Sequence, residues 1–287
     1  MICLGEYMRV LNDIELKSYT TFKMGGICKT LYIPTTQHEL IELASTRLHP
    51  LLIGGGSNLL INDKRIFDEV ISLREFDTSI KHLGNGEFVV GASVRLQKLI
   101  KFINDLGFGG IEYLYSVPAL IGGAIYMNAG RGRAHGKCIS DYVLDVKVLH
   151  DGKVKYLTRD ECDFSYRHSV FQTGEYVILS ARFKFDAGDS RDFEAAIRER
   201  LDHCKIQQDA SKPNFGTVFC HSDSRVMRLV YRLDLRKQKG VYFSHKTRNW
   251  LINEGGTFSQ AIFRLNLVKA LHRLIARPCK TEVVIWK

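Results

Sequence analysis

The chain contains two glycine-rich stretches whose residue types could bind a phosphate group. The first lies between the apolar runs Leu51–Ile53 and Leu59–Ile61 and reads Gly54, Gly55, Gly56, Ser57 and Asn58. Three consecutive glycines cost backbone entropy, but they leave backbone N–H groups open to an anion, and the serine and the asparagine can add hydrogen bonds. The alternative is a hairpin turn in which glycine is needed for its positive φ.

The second stretch runs from Ser116 to Gly130 and has the composition expected of a partner to the first. Gly122 and Gly123 lie inside an apolar segment that can form a helix, and Asn128 and Gly130 end it. A glycine pair here permits a close backbone approach to a ligand, or begins a short helix whose N–H groups face an anion. A tightly packed buried helix explains the same residues, so both interpretations stay open at this point.

Patterns of strand and helix surround both stretches and would position them. One helix is predicted over Thr36–Arg47, with Thr36 and Glu39 at capping-box spacing. The clearest amphipathic helix covers Val94–Leu106. Other helices are predicted at 191–204, with Leu201 buried, at 224–235 and at 257–276, with Ile275 inward. Thr257 and Gln260 give the last of these a second capping box. Strands are predicted at 30–33, 69–73, 88–92, 142–149, 154–156, 176–185, 217–220, 249–253 and 282–286.

Composition limits the class of protein. The 287 residues are enough for about two domains, and 45% hydrophobic with 25% charged residues is ordinary for a globular protein. The formal charge of +10 suits an anionic partner, but the dispersed basic residues favour a cationic surface over a nucleic-acid site. Seven cysteines at wide spacing argue against a disulfide framework or a zinc site. Without a spanning run or a signal peptide, we expect a cytoplasmic protein.

An ordered set of motifs extends over nearly the whole chain, from Leu16 to Ile285. The set comprises Tyr19–Gly26, Gly54–Leu60, Pro118–Gly130, Phe164–Phe171, Phe215–Phe219, Ser244–Lys246 and Glu282–Val283. Each motif alone is weak, but their order and combination are specific. With this set the chain resembles the UDP-N-acetylenolpyruvoylglucosamine reductases of bacterial cell-wall synthesis.

The resemblance implies an α+β fold. Two α/β-type subdomains would form an FAD-binding fold of the vanillyl-alcohol-oxidase/p-cresol-methylhydroxylase type, followed by a C-terminal substrate-binding domain. The implied boundaries are 1–72 for the first subdomain, completed by a strand within 279–287, then 73–206 for the second and 207–278 for the substrate-binding domain. The short chain is similar to the family's compact subtype.

The resemblance also implies FAD, bound non-covalently, as cofactor and NADPH as co-substrate. Hydride would pass from NADPH through FAD to the enolpyruvyl group of UDP-N-acetylglucosamine enolpyruvate, giving UDP-N-acetylmuramate. The implied FAD contacts are Gly54, Gly55, Gly56, Ser57, Asn58, Leu59, Ser116, Pro118, Gly122, Gly123, Asn128 and Gly130. We expect a monomer that binds a UDP-sugar, with no nucleic-acid or membrane partner and no metal.

Three positions match the family's catalytic residues. Arg167 matches the arginine that stabilises the developing enolate, a role suited to a planar cation beside a carboxylate. Glu282 matches a glutamate that polarises the carboxyl group, and such an acid must be protonated or tightly paired. Thr217 stands where the family has a serine that donates the proton, and it keeps the hydroxyl but adds a methyl group and restricts χ1.

The substrate half departs from the family more than the FAD half. Implied substrate contacts are Tyr166, Arg167, His221 and Lys246, but Cys220–Ser222 replaces a basic, proline-containing motif that helps to hold the diphosphate. Arg131–Arg133 replaces a second family motif. The alternatives are therefore a reductase of the same fold that acts on another sugar nucleotide, a catalytically weakened flavin-binding paralogue, or a binding protein without activity.

Overall fold

The structure is a computed structural model that describes residues 8–45, 51–131, 136–210, 212–234 and 240–287. The described residues fall into two compact units. Unit 1 takes those within residues 1–12, 30–55 and 69–201, and unit 2 takes those within 13–29, 56–68 and 202–287. Each unit is thus built from three separate segments of the chain.

The described residues contain both strands and helices. The strands are β1 (Arg9–Glu15), β2 (Ile27–Ile33), β3 (Leu52–Ile53), β4 (Leu59–Ile61), β5 (Ile66–Ser72), β6 (Ile80–Gly84), β7 (Glu87–Gly91), β8 (Phe108–Gly109), β9 (Val143–His150), β10 (Lys153–Thr158), β11 (Val177–Lys184), β12 (Asp186–Ala187), β13 (Asn214–Thr217), β14 (Phe219–His221), β15 (Gly240–Phe243), β16 (Trp250–Glu254), β17 (Lys280–Thr281) and β18 (Val284–Trp286). The helices are α1 (Gln37–Ser45), α2 (Leu96–Asp105), α3 (Ile121–Tyr126), α4 (Ser190–Gln207), α5 (Ser224–Asp234) and α6 (Phe258–Leu274).

Unit 1 contains a five-stranded antiparallel sheet in the order β10-β9-β11-β7-β6. Asp151 and Gly152 join β9 to β10 with φ of 50° and 68°, because a two-residue hairpin that follows the twist of its strands needs positive φ at both positions. Helices α2 and α3 bury Leu99 and Ile125 in the same core as Phe88 and Phe183 of the sheet. This core fixes the position of α3, which carries the second glycine pair.

Strands β3 and β4 flank the first glycine stretch but belong to different sheets. Strand β3 pairs in parallel with β5 in a sheet of order β1-β2-β5-β3, whereas β4 pairs in parallel with β18. The hairpin alternative for Gly54–Asn58 is therefore wrong. The flanking apolar runs do form strands, as the sequence predicts, but each finds its partner elsewhere in the chain.

Unit 2 contains an antiparallel sheet of order β13-β16-β15 and two further strand pairs, β14 with β17 and β4 with β18. Helices α5 and α6 bury Val230, Leu265 and Val268 in one core with Phe219 and Phe243. Helix α6 begins with the predicted capping box, in which Thr257 and Gln260 exchange side-chain and backbone hydrogen bonds. These elements support the loops that carry the second set of predicted site residues.

Two predicted buried faces are wrong in part. Helix α4 has no buried residue, and its Leu201 is 38% exposed. Ile275 lies just past the end of α6 and is 49% exposed. Helix α6 instead buries His272, whose Nδ1 bonds to the Val268 carbonyl at 2.7 Å while Nε2 accepts the backbone N–H of Asp223 at 2.7 Å. A helical period indicates a face, but the neighbouring elements decide whether that face is covered.

Candidate active site

The first glycine stretch divides into two parts with different requirements. Gly56 has φ of +66°, and a Cβ there would lie 1.9 Å from the Tyr19 carbonyl oxygen, so the fold itself requires glycine. Gly54 and Gly55 have no positive φ, and the nearest atoms to an added Cβ would be 3.8 Å and 3.6 Å away. Neither a positive φ nor a close contact with the described residues requires glycine at these two positions.

Arg74 fixes the orientation of the first two glycines. Its Nε donates to the Gly54 carbonyl at 3.1 Å, and its Nη2 donates to the Gly55 carbonyl at 3.4 Å. These bonds orient both carbonyl groups toward the guanidinium. Sequence reasoning missed Arg74, since nothing in the type or spacing of this residue marks it.

The second glycine pair gives the clearest test of a cofactor site. A Cβ on Gly122 would lie 3.2 Å from the Cβ of Ala92, so close packing explains that glycine. Gly123 has ordinary helical φ, is exposed, and an added Cβ would meet no atom of the described residues within 4 Å. Glycine lowers helix stability by about 1 kcal/mol relative to alanine, and neither backbone conformation nor packing against the described residues requires it here. Gly54, Gly55 and Gly123 therefore fit a cofactor that approaches the backbone closely.

Arg167 lies at the tip of a tight turn with a strained backbone. Ser165 and His168 exchange backbone hydrogen bonds of 3.2 Å and 3.0 Å, and Arg167 between them has φ of 57°. A non-glycine residue in this region stores strain that the surrounding structure must support. Its Nη2 donates to the Gly130 carbonyl at 2.9 Å, and the guanidinium carbon lies 5.7 Å from the ring centroid of Tyr166. The backbone and the side chain of Arg167 are both held.

Asn128 and Gln172 connect this turn to the end of α3. Asn128 is 2% exposed, and its Nδ2 donates to the Ser165 carbonyl at 2.9 Å. Gln172 Nε2 donates to the carbonyls of Arg167 and Tyr126, both at 3.1 Å. The structure thus links Asn128, Gly130, Tyr166 and Arg167 within unit 1. Gln172 is a further member that sequence reasoning missed.

A cavity of about 630 Å³ opens beside this group. Its lining includes Asn128 and Tyr166 together with Ser140, Arg159, Phe164 and Ser165. Three aspartates, Asp141, Asp160 and Asp163, also line it. Two residues predicted to contact cofactor or substrate therefore face a pocket large enough for a small organic group.

Thr217 and Glu282 lie in unit 2 and are joined through one residue. The Glu282 N–H donates to the Val218 carbonyl at 2.8 Å, and Val218 directly follows Thr217. Asn58 adds a second link, because its Nδ2 donates to the Glu282 carbonyl at 3.1 Å. The carbonyl of Asn58 accepts the N–H of Val284 at 3.0 Å. Predicted cofactor and catalytic residues of unit 2 thus share one hydrogen-bonded strand junction.

The other predicted site residues show a mixture of environments. Gly216, before Thr217, has φ of +75° and donates its N–H to Asn214 Oδ1 at 3.0 Å. His221 Nδ1 lies 3.4 Å from the sulfur of Cys220, and the exposed Lys246 bonds through Nζ to the Lys205 carbonyl at 3.4 Å. Ser116 Oγ accepts Arg200 Nε at 2.9 Å. The half-buried Ser57 and Leu59, and the exposed Pro118, complete the predicted set, and of Arg131–Arg133 only Arg131 lies within the described residues.

The described residues contain neither a candidate metal site nor a candidate membrane-spanning helix. No group of three or more histidine, cysteine, aspartate or glutamate side chains among them could hold a metal ion. No helix among them has the length and hydropathy needed to cross a membrane.

Comparison with known proteins identifies the class of protein. A family described as an FAD binding domain matches residues 31–158, which include both glycine-rich stretches. Over 98% of this chain and 100% of the other, the fold matches a crystal structure of UDP-N-acetylenolpyruvylglucosamine reductase from Thermus caldophilus, with a TM-score of 0.78 and 27% identity. The protein is an FAD-dependent oxidoreductase, and the predicted α+β FAD-binding fold is confirmed.

Curated relatives then give the family. The UDP-N-acetylenolpyruvoylglucosamine reductase of Geobacter metallireducens is 33% identical over 86% of this chain and 83% of its own. The enzyme of the same name from Bacillus pumilus is 30% identical over 96% of this chain and 92% of its own. This chain belongs to the UDP-N-acetylenolpyruvoylglucosamine reductase family, which confirms the resemblance carried by its motifs.

Proposed function

We propose that the protein reduces UDP-N-acetylglucosamine enolpyruvate to UDP-N-acetylmuramate, a precursor of peptidoglycan, with NADPH as electron donor. The observation that carries the proposal is the 2.8 Å bond from the Glu282 N–H to the Val218 carbonyl. This bond couples an acidic residue to the segment that carries the Thr217 hydroxyl. An acid and a hydroxyl on neighbouring, hydrogen-bonded segments suit the addition of hydrogen across a double bond next to a carboxylate.

Each catalytic residue has one proposed role. FAD, when bound, supplies hydride transfer to the enolpyruvyl double bond. Arg167 binds the substrate carboxylate and stabilises the negative charge that develops beside it, and Tyr166, His221 and Lys246 hold the rest of the UDP-sugar. Glu282 polarises the carboxyl group, and the Thr217 hydroxyl donates the proton to the carbon next to it.

The cofactor contacts and the domain boundaries proposed here are those that the family resemblance implies. Non-covalent FAD contacts the two glycine stretches, at Gly54–Leu59 and at Ser116, Pro118, Gly122, Gly123, Asn128 and Gly130. This is supported by the open space at Gly123 and by the FAD binding domain match over 31–158. The subdomains are 1–72 with 279–287, then 73–206, and the substrate-binding domain is 207–278. We further propose a cytoplasmic monomer without a nucleic-acid partner.

The visible absorbance of the purified protein tests the function directly. We expect a flavin spectrum that NADPH bleaches under anaerobic conditions and that UDP-N-acetylglucosamine enolpyruvate restores. UDP-N-acetylmuramate should form in equal amount to the NADPH consumed. A flavin that NADPH reduces but that this substrate never restores would overturn the proposal.

The second candidate is a reductase of the same fold that acts on a different sugar nucleotide. It is favoured by Cys220–Ser222, where His221 bonds to a neighbouring cysteine in place of the family's basic motif. A panel of sugar nucleotides offered to the reduced protein separates the candidates by the rate at which the flavin spectrum returns. If the enolpyruvyl compound is the fastest of the panel, the second candidate is lost.

A further inference from the structure

The side chain of Asn249 forms two hydrogen bonds with the backbone of Phe219. Its Oδ1 accepts the Phe219 N–H at 3.1 Å, and its Nδ2 donates to the Phe219 carbonyl at 2.8 Å. The opposite orientation of the amide would set donor against donor and acceptor against acceptor, so the pairing itself fixes which atom is which. Among side chains of this size, only asparagine supplies one donor and one acceptor in this arrangement.

The backbone of Asn249 forms a further hydrogen bond with the backbone of Val218. The Val218 N–H donates to the Asn249 carbonyl at 2.9 Å, and on the other side the Val218 carbonyl accepts the Glu282 N–H at 2.8 Å. Strand β13 pairs with β16 only as far as Thr217, opposite Trp250. Asn249 therefore continues the pairing on the β16 side of the segment immediately after Thr217.

We propose that Asn249 is a positioning residue, which sets the register of the Thr217 hydroxyl against Glu282. The proposal rests on the reduction proposed above, in which Thr217 donates the proton. The segment from Thr217 to Phe219 lies between Asn249 on one side and Glu282 with β17 on the other. When the two side-chain bonds of Asn249 are removed, the segment keeps only its backbone bonds to Asn249 and Glu282, and the hydroxyl loses its fixed distance to the reacting carbon.

A graded pair of variants tests this role. Asn249→Asp keeps the acceptor for the Phe219 N–H but sets a carboxylate against the Phe219 carbonyl, and Asn249→Ala removes both side-chain bonds. We expect restoration of the flavin spectrum by the enolpyruvyl substrate to slow about tenfold in the first and about a hundredfold in the second, as a displacement of about 1 Å can do. Reduction by NADPH needs no proton from Thr217, so its rate should stay within about twofold.

Asn253, four residues further along the chain in β16, provides a matched control. It is 5% exposed, donates Nδ2 to the Phe22 carbonyl at 2.8 Å and accepts the Gly256 N–H at 2.9 Å. Asn253→Ala removes comparable bonds from the same unit but touches neither Thr217 nor Glu282. It should lower the melting temperature at least as much as Asn249→Ala while leaving both half-reactions unchanged.

Amide hydrogen exchange supplies a readout that does not depend on turnover. In Asn249→Ala the N–H group of Phe219, which loses its side-chain acceptor, should exchange at least tenfold faster, while those of β15 stay protected. Equal slowing of both half-reactions, or unchanged substrate reduction despite faster exchange at Phe219, would overturn the positioning role. Failure of the proposed function looks different, because the unmodified protein itself would then not respond to the enolpyruvyl substrate.

Discussion

Replacing Gly123 with alanine should stabilise the protein without its cofactor and weaken cofactor binding. An added Cβ meets no atom within 4 Å in the part of the chain that the structure describes, and the φ of this residue is ordinary for a helix. The methyl group would therefore be tolerated by the fold and would occupy space that we assign to FAD. A single substitution that moves stability and affinity in opposite directions is the signature of a glycine kept for a ligand.

The magnitudes follow from helix propensity and from overpacking. Alanine should gain about 0.5–1 kcal/mol in the free energy of unfolding of the apoprotein, or roughly 1–4 °C in melting temperature for a unit of this size. A methyl group forced into a close contact costs about 1–3 kcal/mol. The dissociation constant of FAD should then rise by about 5- to 150-fold.

Two other glycines serve as controls in the same assays. In Gly122→Ala the new methyl lies 3.2 Å from the Ala92 Cβ, and in Gly56→Ala it lies 1.9 Å from the Tyr19 carbonyl oxygen at a φ of +66°. The first should destabilise the apoprotein by about 1 kcal/mol and the second by at least about 2 kcal/mol. Urea unfolding of the apoprotein gives the stabilities, and quenching of flavin fluorescence gives the FAD affinities.

The result that would refute the reasoning is an unchanged FAD affinity in Gly123→Ala. The space beside this residue would then be open solvent, and the glycine would need another explanation. A drop in apoprotein stability would refute the second half, because the methyl group would have met an obstacle that the structure does not show.

Three further predictions concern the catalytic residues and one surface carboxylate. Arg167→Lys keeps the charge but not the planar group that can bind a carboxylate at two points, so kcat should fall about a hundredfold, and an unchanged kcat would contradict the proposed role. Thr217→Ser should keep or raise the rate of substrate reduction, while Thr217→Val, similar in shape, should reduce it by at least about a hundredfold; equal rates in both would exclude the hydroxyl as proton donor. The hydrogen bond from Lys212, with one from Tyr242, lowers the pKa of Glu254 from its ordinary value. Because that pKa is depressed, the stabilising contribution is present above the unfolded carboxylate pKa of about 4.3 and is lost as the pH falls through the folded value, so the gap in melting temperature between wild type and Glu254→Gln should close below about pH 4. A gap that persists in acid would contradict the ion pair as its source.

Local patterns predicted most elements of this fold to within a few residues. The apolar spacing of Val94–Leu106 predicted α2, observed at Leu96–Asp105, and the capping-box spacing of Thr257 and Gln260 marked the start of α6. These features depend on residues three or four positions apart, which the sequence displays directly. Strand β6 was missed, because Ile80–Gly84 lacks a clear alternation of apolar and polar residues and presents a largely exposed surface.

Features that depend on distant segments could not be predicted in the same way. The pairing of Leu60 with Ile285 joins residues more than 200 positions apart, and the periodicity of either strand does not indicate which strand it pairs with. Arg74, Gln172 and Asn249 act on backbone carbonyl or N–H groups that only the fold brings to them. Backbone groups are the same at every position, so side chains that bind them leave little trace in a sequence.

The parallel pairing of β4 with β18 has a consequence for the time course of synthesis. At about 5–20 residues per second, Leu59–Ile61 leaves the ribosome roughly 10–45 s before Val284–Trp286 is made. During that interval β4 has an unpaired edge and its apolar residues lack their core, which is the condition in which nascent chains aggregate or recruit chaperones. A pause in translation between these strands should lower the yield of soluble protein, and supplying the distal strand in trans should restore it.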